Sequence, residues 1–455
     1  MEQPQEIEDE DYERTWERVA AVDVAKATGV VCTRVPDEDR PGRRLTRIWT
    51  VQATVAGVTE LGDHLRCQGI EVVTIESTSD YWRIWHVILE EAGLRVQLVN
   101  ARSVKNVPGR AKTDEKDAAW LAKLTERGML QPSFIPPHDI RVLREYTRLR
   151  AELVRERTRL WSRMEKLLER ALIRVTVIAS SIDTVSVRQM IEALIAGERD
   201  PRRLADLART RMRARMKDLI AALDGRFEDH HAEEARIILG HIDALTRDIA
   251  RLENLATAQI EAIPASWGVD PDGTDGPDAG KAPGSPVLPA VARLDEIAGI
   301  GPTAAMAIIA EIGLDMTVFG TAGRLVSWAK LCPQTRQSGA KSTARSPGKG
   351  DPWLKGPLGE AAAAAARSDT WLGERYRRLA RRRGKRKALV ATARAILVII
   401  FHLLADPAAR YRDLGPGYYD DKISAERKIR NHVRQLQALG LIVTITPAED
   451  TAPAA

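Results

Sequence analysis

The chain has little cysteine, and this shortage excludes two classes of protein. Its only cysteines are Cys32, Cys67 and Cys332. They are far apart and form no Cys-x-x-Cys pair. A disulfide framework and a structural zinc site are therefore not expected, and the cytoplasm is the expected compartment.

Membrane and ATP-binding signals are also missing. No signal peptide precedes residue 20. The most apolar stretch, 388–405, contains Arg394 and His402. It therefore predicts a buried helix rather than a membrane span, and no membrane partner is expected. The sequence Gly-Ala-Lys-Ser at 339–342 lacks the first glycine and the spacing of a P-loop, so ATP binding is not supported.

Charge is abundant but unevenly distributed. The 69 Lys and Arg residues exceed the 63 Asp and Glu residues and give a net charge of +6. Residues 2–13 hold seven acids and no Lys or Arg, which predicts a disordered acidic tail. Residues 367–387 hold ten Lys or Arg residues against two acids. This run could be a solvated helix face, but its density favours phosphate contact through Arg381, Arg382 and Arg383.

Four acidic residues carry the strongest chemical signal. Asp23 and Glu76 lie in apolar, β-branched runs typical of strands, where an unpaired carboxylate is expensive to bury. Asp114 and Asp117 are three residues apart at the start of a run with helical spacing, so both can face the same way. The pattern predicts one site that gathers all four carboxylates.

Such a site requires a counter-charge. Two like unit charges about 4 Å apart repel by about 4 kcal/mol at an effective dielectric constant near 20. Carboxylates without nearby His or Cys suit Mg²⁺ or Mn²⁺, the ions that hold the attacking and leaving oxygens in phosphoryl transfer. Taken singly, each acid also fits a structural role as a strand-end turn residue, half of an ion pair or a helix cap.

The order of predicted elements adds a second constraint. Strands over 18–24, 29–35 and 45–51 are followed by a helix over 59–68, a strand over 71–75, a helix over 81–92 and a strand over 95–99. This order is the RNase H-like layout. The stretches 22–26, 75–82, 99–101 and 112–118 closely resemble the RuvC-like N-terminal domain of the DEDD insertion-sequence transposases, the group that includes the Piv-type DNA invertases and the bridge-RNA-guided recombinases.

A second signature lies far downstream. Residues 294–302, Leu-Asp-Glu-Ile-Ala-Gly-Ile-Gly-Pro, lead into an Ala- and Ile-rich run with helical spacing and predict a helix-hairpin-helix. Gly299 and Gly301 would let the backbone approach a phosphate, toward which the next helix would point its N–H groups and dipole. A plain packing corner between two helices fits this motif equally well.

The basic loop that follows resembles the C-terminal domain of the same transposases, in which a Ser-Gly pair carries the nucleophilic serine. Ser338 is the match, with Ser342 and Ser346 as alternatives in the loop. The neighbouring cations predicted to contact nucleic acid are Arg336, Lys341, Arg345 and Lys349. A serine hydroxyl needs a base or a metal to become a nucleophile. More than 200 residues separate Ser338 from the acids, so the predicted site is composite.

The resemblance implies a DNA transposase or site-specific recombinase of a bacterial insertion sequence, which cuts and rejoins DNA through a phosphoserine intermediate. It also implies a structured noncoding guide RNA that pairs with donor and target DNA, and homodimers that assemble as tetramers. Two alternatives remain. One is a metal-dependent junction-resolving nuclease, in which Ser338 only contacts phosphate, and the other is a non-catalytic nucleic-acid-binding scaffold.

The expected fold class is α/β plus α, with an RNase H-like (RuvC-like) N-terminal domain, a helical coiled-coil middle and a mostly helical C-terminal domain. The long helical runs 140–172 and 204–263 carry apolar residues at three-to-four spacing and are our candidate for dimerisation. The predicted domains are an acidic tail at 1–16, the RuvC-like domain at 17–139, the coiled coil at 140–263, a flexible linker at 264–289, the serine-bearing domain at 290–415 and an extension at 416–455 with a helix over 425–439 and a strand over 441–446.

Overall fold

The computed structural model describes the backbone of residues 16–40, 43–77, 79–100, 114–268, 288–338, 341–345, 348–421 and 425–445. Almost all of the predicted acidic tail and most of the predicted linker lie outside these residues. The chain divides into two units, Met1–Ile135 and Pro136–Ala455. The finer domain boundaries within these units stay predictions.

The first unit contains a six-stranded sheet. Its strands are β1 (Val19–Val24), β2 (Thr28–Pro36), β3 (Arg44–Gln52), β4 (Val72–Ser77), β5 (Val96–Asn100) and β6 (Pro132–Ser133). They are ordered β3-β2-β1-β4-β5-β6. β1, β2 and β3 pair antiparallel, whereas β1, β4 and β5 run parallel. The predicted sequence of three hairpin-linked strands followed by alternating helix and strand is therefore present.

Helices cover both faces of this sheet, because successive strand side chains point to opposite sides. On one face, α1 (Val55–Cys67) and α2 (Trp82–Glu91) bury Leu65, Trp85 and Leu89 against Val22 and Ile75. On the other face lies α3 (Asp114–Glu126). Its buried side chains Ala118, Leu121 and Ala122 pack with Ala21, Cys32 and Val99. Full burial of each large apolar side chain contributes roughly 1.5–3 kcal/mol.

The middle of the chain contains two long helices, α4 (His138–Arg170) at its start and α8 (Asp229–Glu261) at its end. They run antiparallel. Gln259, near the end of α8, donates to the carbonyl oxygen of Asp139 at the start of α4. Arg170, at the end of α4, donates to Glu234 near the start of α8.

Shorter helices connect them: α5 (Val185–Ile195), α6 (Pro201–Asp206) and α7 (Met216–Leu223). The predicted continuous run over 204–263 is therefore wrong, since the chain leaves helical geometry after α6 and again at 224–228. Gly225 marks the second break, where a Cβ would lie 2.6 Å from the Ala171 carbonyl oxygen. The short helices form a separate hydrophobic core together with the C-terminal part of α4 and the N-terminal part of α8.

The remainder is mostly helical. Its elements are α9 (Ala290–Asp295), α10 (Pro302–Ile312), α11 (Ala322–Trp328), the strands β7 (Gln334–Ser338) and β8 (Lys341–Arg345), α12 (Pro352–Ala365), α13 (Trp371–Arg383), α14 (Lys385–Ala405), α15 (Tyr418–Asp421) and α16 (Ala425–Ala438). The predicted strand over 441–446 is wrong for 441–445, which form no regular structure; Thr446 lies outside the described residues.

An ion cluster fixes α10 to α4. Arg144 donates to the carbonyl oxygens of Ala310 and Glu311 at 2.9 Å each, which satisfies two acceptors at the helix C-terminus. Arg148 donates to both carboxylate oxygens of Glu311 at 2.8 and 2.9 Å. Burial raises the pKa of Glu311, while both arginines oppose that shift.

Within the described part of the chain, one helix, α14, is long and apolar enough to cross a membrane by length and composition. Its most apolar window is 56% buried inside the protein, and core helices of soluble proteins pass the same test. Arg293, only 1% exposed, reaches its C-terminal end and donates to the carbonyl oxygens of Leu403 and Asp406. A buried cation at a helix C-terminus complements the helix dipole.

Candidate active site and nucleic-acid interface

Asp23 and Glu76 lie side by side at the carboxyl ends of two parallel strands. β1 and β4 pair Val22 with Ile75, and each acid follows its strand partner by one residue. Neighbouring strands are about 4.8 Å apart. Glu76 is buried at 8% exposure and Asp23 is half-buried. The sheet therefore brings these two predicted residues together.

Both acids are on the α3 side of the sheet. Residues two apart on a strand share a face. Ala21, two residues before Asp23, packs in the core with α3. Thr74, two residues before Glu76, has its Oγ1 at 2.7 Å from the Oγ1 of Thr125 on α3.

The direction of α3 brings its first turn to the same end of the sheet. Glu126, the last residue of α3, accepts from Arg34 Nε at 2.6 Å, and Arg34 pairs with Val19 at the beginning of β1. The nine-residue step from Glu126 back to Asp117 along the helix is about 13 Å long. The four-residue step from Val19 forward to Asp23 along the strand is also about 13 Å long. Asp117 is therefore level with Asp23.

Asp117 also shares the sheet-facing side of α3, because it precedes the buried Leu121 by one helical turn. Asp114 is the first residue of α3, and its side chain lies outside the described residues. Asp23, Glu76 and Asp117 are therefore all directed toward the same end of the sheet.

This donor set suits a hard divalent cation, since its ligands are carboxylate oxygens. Among the side chains that the structure describes, no three His, Cys, Asp or Glu residues form a group that could hold a metal ion. Asp23, Glu76 and Asp117 all engage other polar or charged groups. The Mg²⁺ or Mn²⁺ site therefore stays a prediction, which rests on the placement of these acids toward one end of the sheet.

Cys32 belongs to a buried apolar layer beneath α3. It is fully buried on β2 and packs with Ala21 and Val99. Burial raises the pKa of its thiol to about 11, although Arg34 and Lys123 act in the opposite direction. Charges at the edge of such a layer interact more strongly than they would in water.

Ser338 is the last residue of β7 in a two-stranded antiparallel ribbon, where it pairs with Lys341. The register also pairs Arg336 with Thr343, and Gln334 with Arg345. Directly paired residues and residues two apart on a strand share a face. Ser338, Arg336, Lys341 and Arg345 therefore occupy positions on one face of the ribbon, and Ser342, which pairs with Gln337, is on the other.

The two glycines of the predicted helix-hairpin-helix differ in their surroundings. Gly299 has φ +93°, and a Cβ there would lie 2.3 Å from the carbonyl oxygen of Ala361 on α12. The Gly299 backbone therefore approaches the backbone of α12 and not a ligand, which fits the alternative of a packing corner between two helices. Gly301, at the N-cap of α10, faces open space. A cavity of about 440 Å³ opens beside it, so phosphate contact remains a prediction best suited to Gly301.

The basic run of the sequence forms the bend between α13 and α14. Gly384 makes this bend with φ +83°. The six cations around it, Arg381, Arg382, Arg383, Lys385, Arg386 and Lys387, are all exposed. In the described structure none of them forms an ion pair with a carboxylate. Lys349, another predicted contact, is exposed as well, while Lys355 donates to the carbonyl oxygens of Gly348 and Lys349 at 2.7 and 3.0 Å.

One feature escaped sequence reasoning, an aromatic and arginine cluster between α13 and α15. Trp371 and Tyr419 stack with ring centroids 6.2 Å apart, and Arg378 lies 4.1 Å from the Tyr419 ring centroid. The signal available was the i, i+4, i+7 spacing of Trp371, Arg375 and Arg378. Sequence alone did not reveal that Tyr419, more than forty residues later, joins them.

Two family models match the chain. Residues 20–173 match a transposase model, the DEDD domain of the IS110 type. Residues 291–377 match a model described as transposase of the IS116/IS110/IS902 family. The first match spans all four predicted acids and the second spans Ser338. A comparison with curated proteins finds no significant match.

Proposed function

Because the chain carries two IS110-family transposase domains, we propose that it is an insertion-sequence transposase that exchanges DNA strands through a covalent phosphoserine. The observation that carries the proposal is that Asp23 and Glu76 directly follow the paired residues Val22 and Ile75 at the carboxyl ends of two neighbouring parallel strands. The family matches support an enzyme that acts on DNA, and these acids would supply part of its chemistry.

The carboxylates would hold a divalent cation. When bound, such an ion neutralises charge on the oxygens of a phosphodiester during transfer. The chain would contribute the geometry: Asp23 and Glu76 lie at the ends of the neighbouring strands β1 and β4, and α3 carries Asp114 and Asp117 three residues apart at its start. The buried apolar layer around Cys32 would strengthen these interactions.

Ser338 would supply the nucleophile. Its oxygen forms a bond to phosphorus, the bond from phosphorus to one deoxyribose oxygen breaks, and that oxygen takes up the serine proton. The phosphoserine conserves the phosphodiester energy until a hydroxyl of another strand attacks and releases the serine. Arg336, Lys341 and Arg345, on the same face of the ribbon, would bind the phosphate charge.

The resemblance to bridge-RNA-guided recombinases extends the proposal to partners. A structured guide RNA would pair with donor and target DNA, and homodimers would assemble as tetramers. Sequencing of RNA that co-purifies with the protein tests the first point, and the mass of the protein in solution tests the second. We expect a discrete structured RNA rather than degraded cellular RNA.

A trapped adduct tests the serine mechanism directly. On a DNA substrate that cannot complete exchange, denaturing gels should reveal DNA attached to protein, and mass spectrometry should locate the bond at Ser338. Ser338→Ala should lose the adduct and keep DNA binding, because only a hydroxyl is removed. The matched control is Ser342→Ala, which changes the same residue type on the opposite face of the ribbon and should retain the adduct.

The same adduct should disappear on chelation of Mg²⁺ and in Asp114→Asn, since an unactivated serine is a poor nucleophile. Free nicked DNA without an adduct in the wild type would instead favour the junction-resolving nuclease. Full function after acid-to-amide changes would favour the non-catalytic scaffold.

A further inference from the structure

Two tyrosines of the C-terminal extension pack against the arginine-rich helix α13. Tyr418 and Tyr419 begin α15, with ring centroids 5.4 Å apart at an angle of 80°. Tyr419 stacks on Trp371 of α13 with an angle of 17° between the rings. Arg375 lies 5.5 Å from the Trp371 ring centroid and donates to the Tyr419 hydroxyl at 3.3 Å. Arg378 lies 4.1 Å from the Tyr419 ring centroid. Three aromatic rings and the guanidinium groups of Arg375 and Arg378 therefore form one cluster.

The cluster begins a positive stripe along α13. Trp371, Arg375, Arg378 and Arg382 have i, i+4, i+7, i+11 spacing, which places them on one side of the helix. The stripe is about 16 Å long, the length of a few nucleotides. At its far end it meets the exposed cations of the bend around Gly384.

The charges of this surface are not balanced within the described residues. Asp413 accepts from the backbone N–H of Trp371, and Glu374 pairs with Arg377. On α13 and in the bend, the exposed cations Arg381, Arg382 and Arg383 have no acidic partner within the described residues.

Three of the cations, Lys385, Arg386 and Lys387, occupy the first turn of α14. The helix dipole there favours anions, so this arrangement is unfavourable until a polyanion binds.

Two buried donors of the cluster lack an acceptor in the described part of the protein. The indole Nε1 of Trp371 and the Nε of Arg375 have no hydrogen-bond partner among the described residues. A buried donor without an acceptor costs about 1–3 kcal/mol. Tyr or Trp rings beside cations are the usual platform for unpaired bases.

We propose that the cluster of Trp371, Tyr418 and Tyr419, together with the α13 stripe, binds single-stranded nucleic acid. The arginines hold the phosphates, and the tyrosine rings stack on unpaired bases. The inference rests on the proposed function, because strand exchange produces unpaired DNA and a guide RNA contains unpaired loops. A duplex would present its phosphates but not its base faces.

Binding of fluorescent 12-mers to the full-length protein tests this assignment. The probes are oligo(dT), oligo(rU), an abasic deoxyribose phosphate oligomer and a hairpin duplex. Tyr419→Ala should weaken binding of oligo(dT) or oligo(rU) about 10-fold, with no change for the abasic and duplex probes. Tyr419→Phe should bind like the wild type, because the ring remains. Tyr146→Ala on α4 is the matched control and should have no effect.

Salt dependence separates the two halves of the surface. Arg378→Ala should reduce the slope of log K against log salt by about 0.7 on single strands, whereas Tyr419→Ala should leave it unchanged. A preference for oligo(rU) or for oligo(dT) identifies the source of the strand, and either one supports base stacking.

An equal loss on all four probes, or no loss on any, would overturn the inference. If Tyr419→Ala binds normally and still forms the phosphoserine adduct, this inference fails and the transposase proposal stands. If base-dependent binding is present without any adduct in the wild type, the serine mechanism fails and the stacking surface stands. Thermal unfolding of each variant establishes that the extension remains folded.

Discussion

The acidic end of the sheet and the basic bend between α13 and α14 use charge in opposite ways. At the sheet, Glu76 is buried and Asp23 is half-buried, and both depend on strand register and on α3 for their position. At the bend, Arg381 to Lys387 are exposed, and their proximity follows from sequence adjacency alone.

The comparison indicates that the exact spacing of charges matters more at the acidic end of the sheet than at the basic bend. Partly buried carboxylates interact strongly with one another, so in the proposed metal site their spacing would control the chemical step. Exposed cations are screened and act additively on a polyanion, so their number matters more than their arrangement. The two regions should therefore respond differently to substitution and to salt.

The largest expected effect is at the acidic end. Asp117→Asn should lower strand exchange by about 10³-fold or more, because a metal ligand that stabilises the transition state is worth several kcal/mol. Its melting temperature should stay the same or rise, since the change removes repulsion between carboxylates. Gel assays of exchange in Mg²⁺ and thermal unfolding measure the two quantities.

Glu60→Gln is the control for Asp117→Asn. Glu60 is an exposed carboxylate of α1, on the opposite face of the sheet, and its loss should leave exchange unchanged. Full exchange by Asp117→Asn would refute the metal-site interpretation.

Two arginines sharpen the contrast between buried and exposed charge. Arg293→Ala should lower the free energy of unfolding by about 3 kcal/mol, because it leaves the buried carbonyl acceptor of Leu403 unpaired and empties the space of a side chain that is 1% exposed. Arg381→Ala, the matched exposed change, should alter it by no more than about 0.5 kcal/mol. Chemical denaturation of both variants measures the values, and similar values would contradict the burial argument.

The basic bend should respond in proportion to its charge. Replacing Arg381, Arg382 and Arg383 with Ala should weaken nucleic-acid binding at every sequence and reduce the slope of log K against log salt by up to about 2.7 on duplex DNA. Binding titrations at several salt concentrations measure this slope. An unchanged slope would mean that the run is only a solvated helix face.

The smallest expected effect concerns an ion pair near α9. Glu296 accepts from Arg410 Nε at 2.6 Å and from the backbone N–H of Tyr411 at 2.9 Å. These bonds hold the pKa of Glu296 below its usual range. Its contribution to stability is therefore present above the usual pKa and is lost as the pH falls through the lowered value.

Glu296→Gln should accordingly lower the free energy of unfolding by at most about 1 kcal/mol at pH 7, and the difference should shrink below about pH 4. Denaturation curves at pH 7 and pH 3.5 measure it. A difference that grows in acid would contradict the assigned direction of the pKa shift.

Much of the first unit could be predicted from the sequence, because strand and helix periodicity are local properties. The strands around Asp23 and Glu76 lie close to their predicted positions. The start of the second long helix, α8, could not be predicted, since the breaks at 207–209 and 224–228 interrupt a helical pattern without proline. Gly225 forms one of these breaks by packing against Ala171, a contact that is distant in sequence.

The site divides in the same way. Sequence by itself determined which residues carry charge, the alternation that puts Asp23 and Ala21 on one face, and the adjacency of the cations at the bend, because these depend on short-range periodicity. Only the tertiary structure decided that β1 pairs with β4 in a register that aligns Asp23 with Glu76. It also decided that α3 begins at their end of the sheet, and that Tyr419 packs on Trp371. Such contacts join residues distant in sequence, whose packing no local pattern specifies.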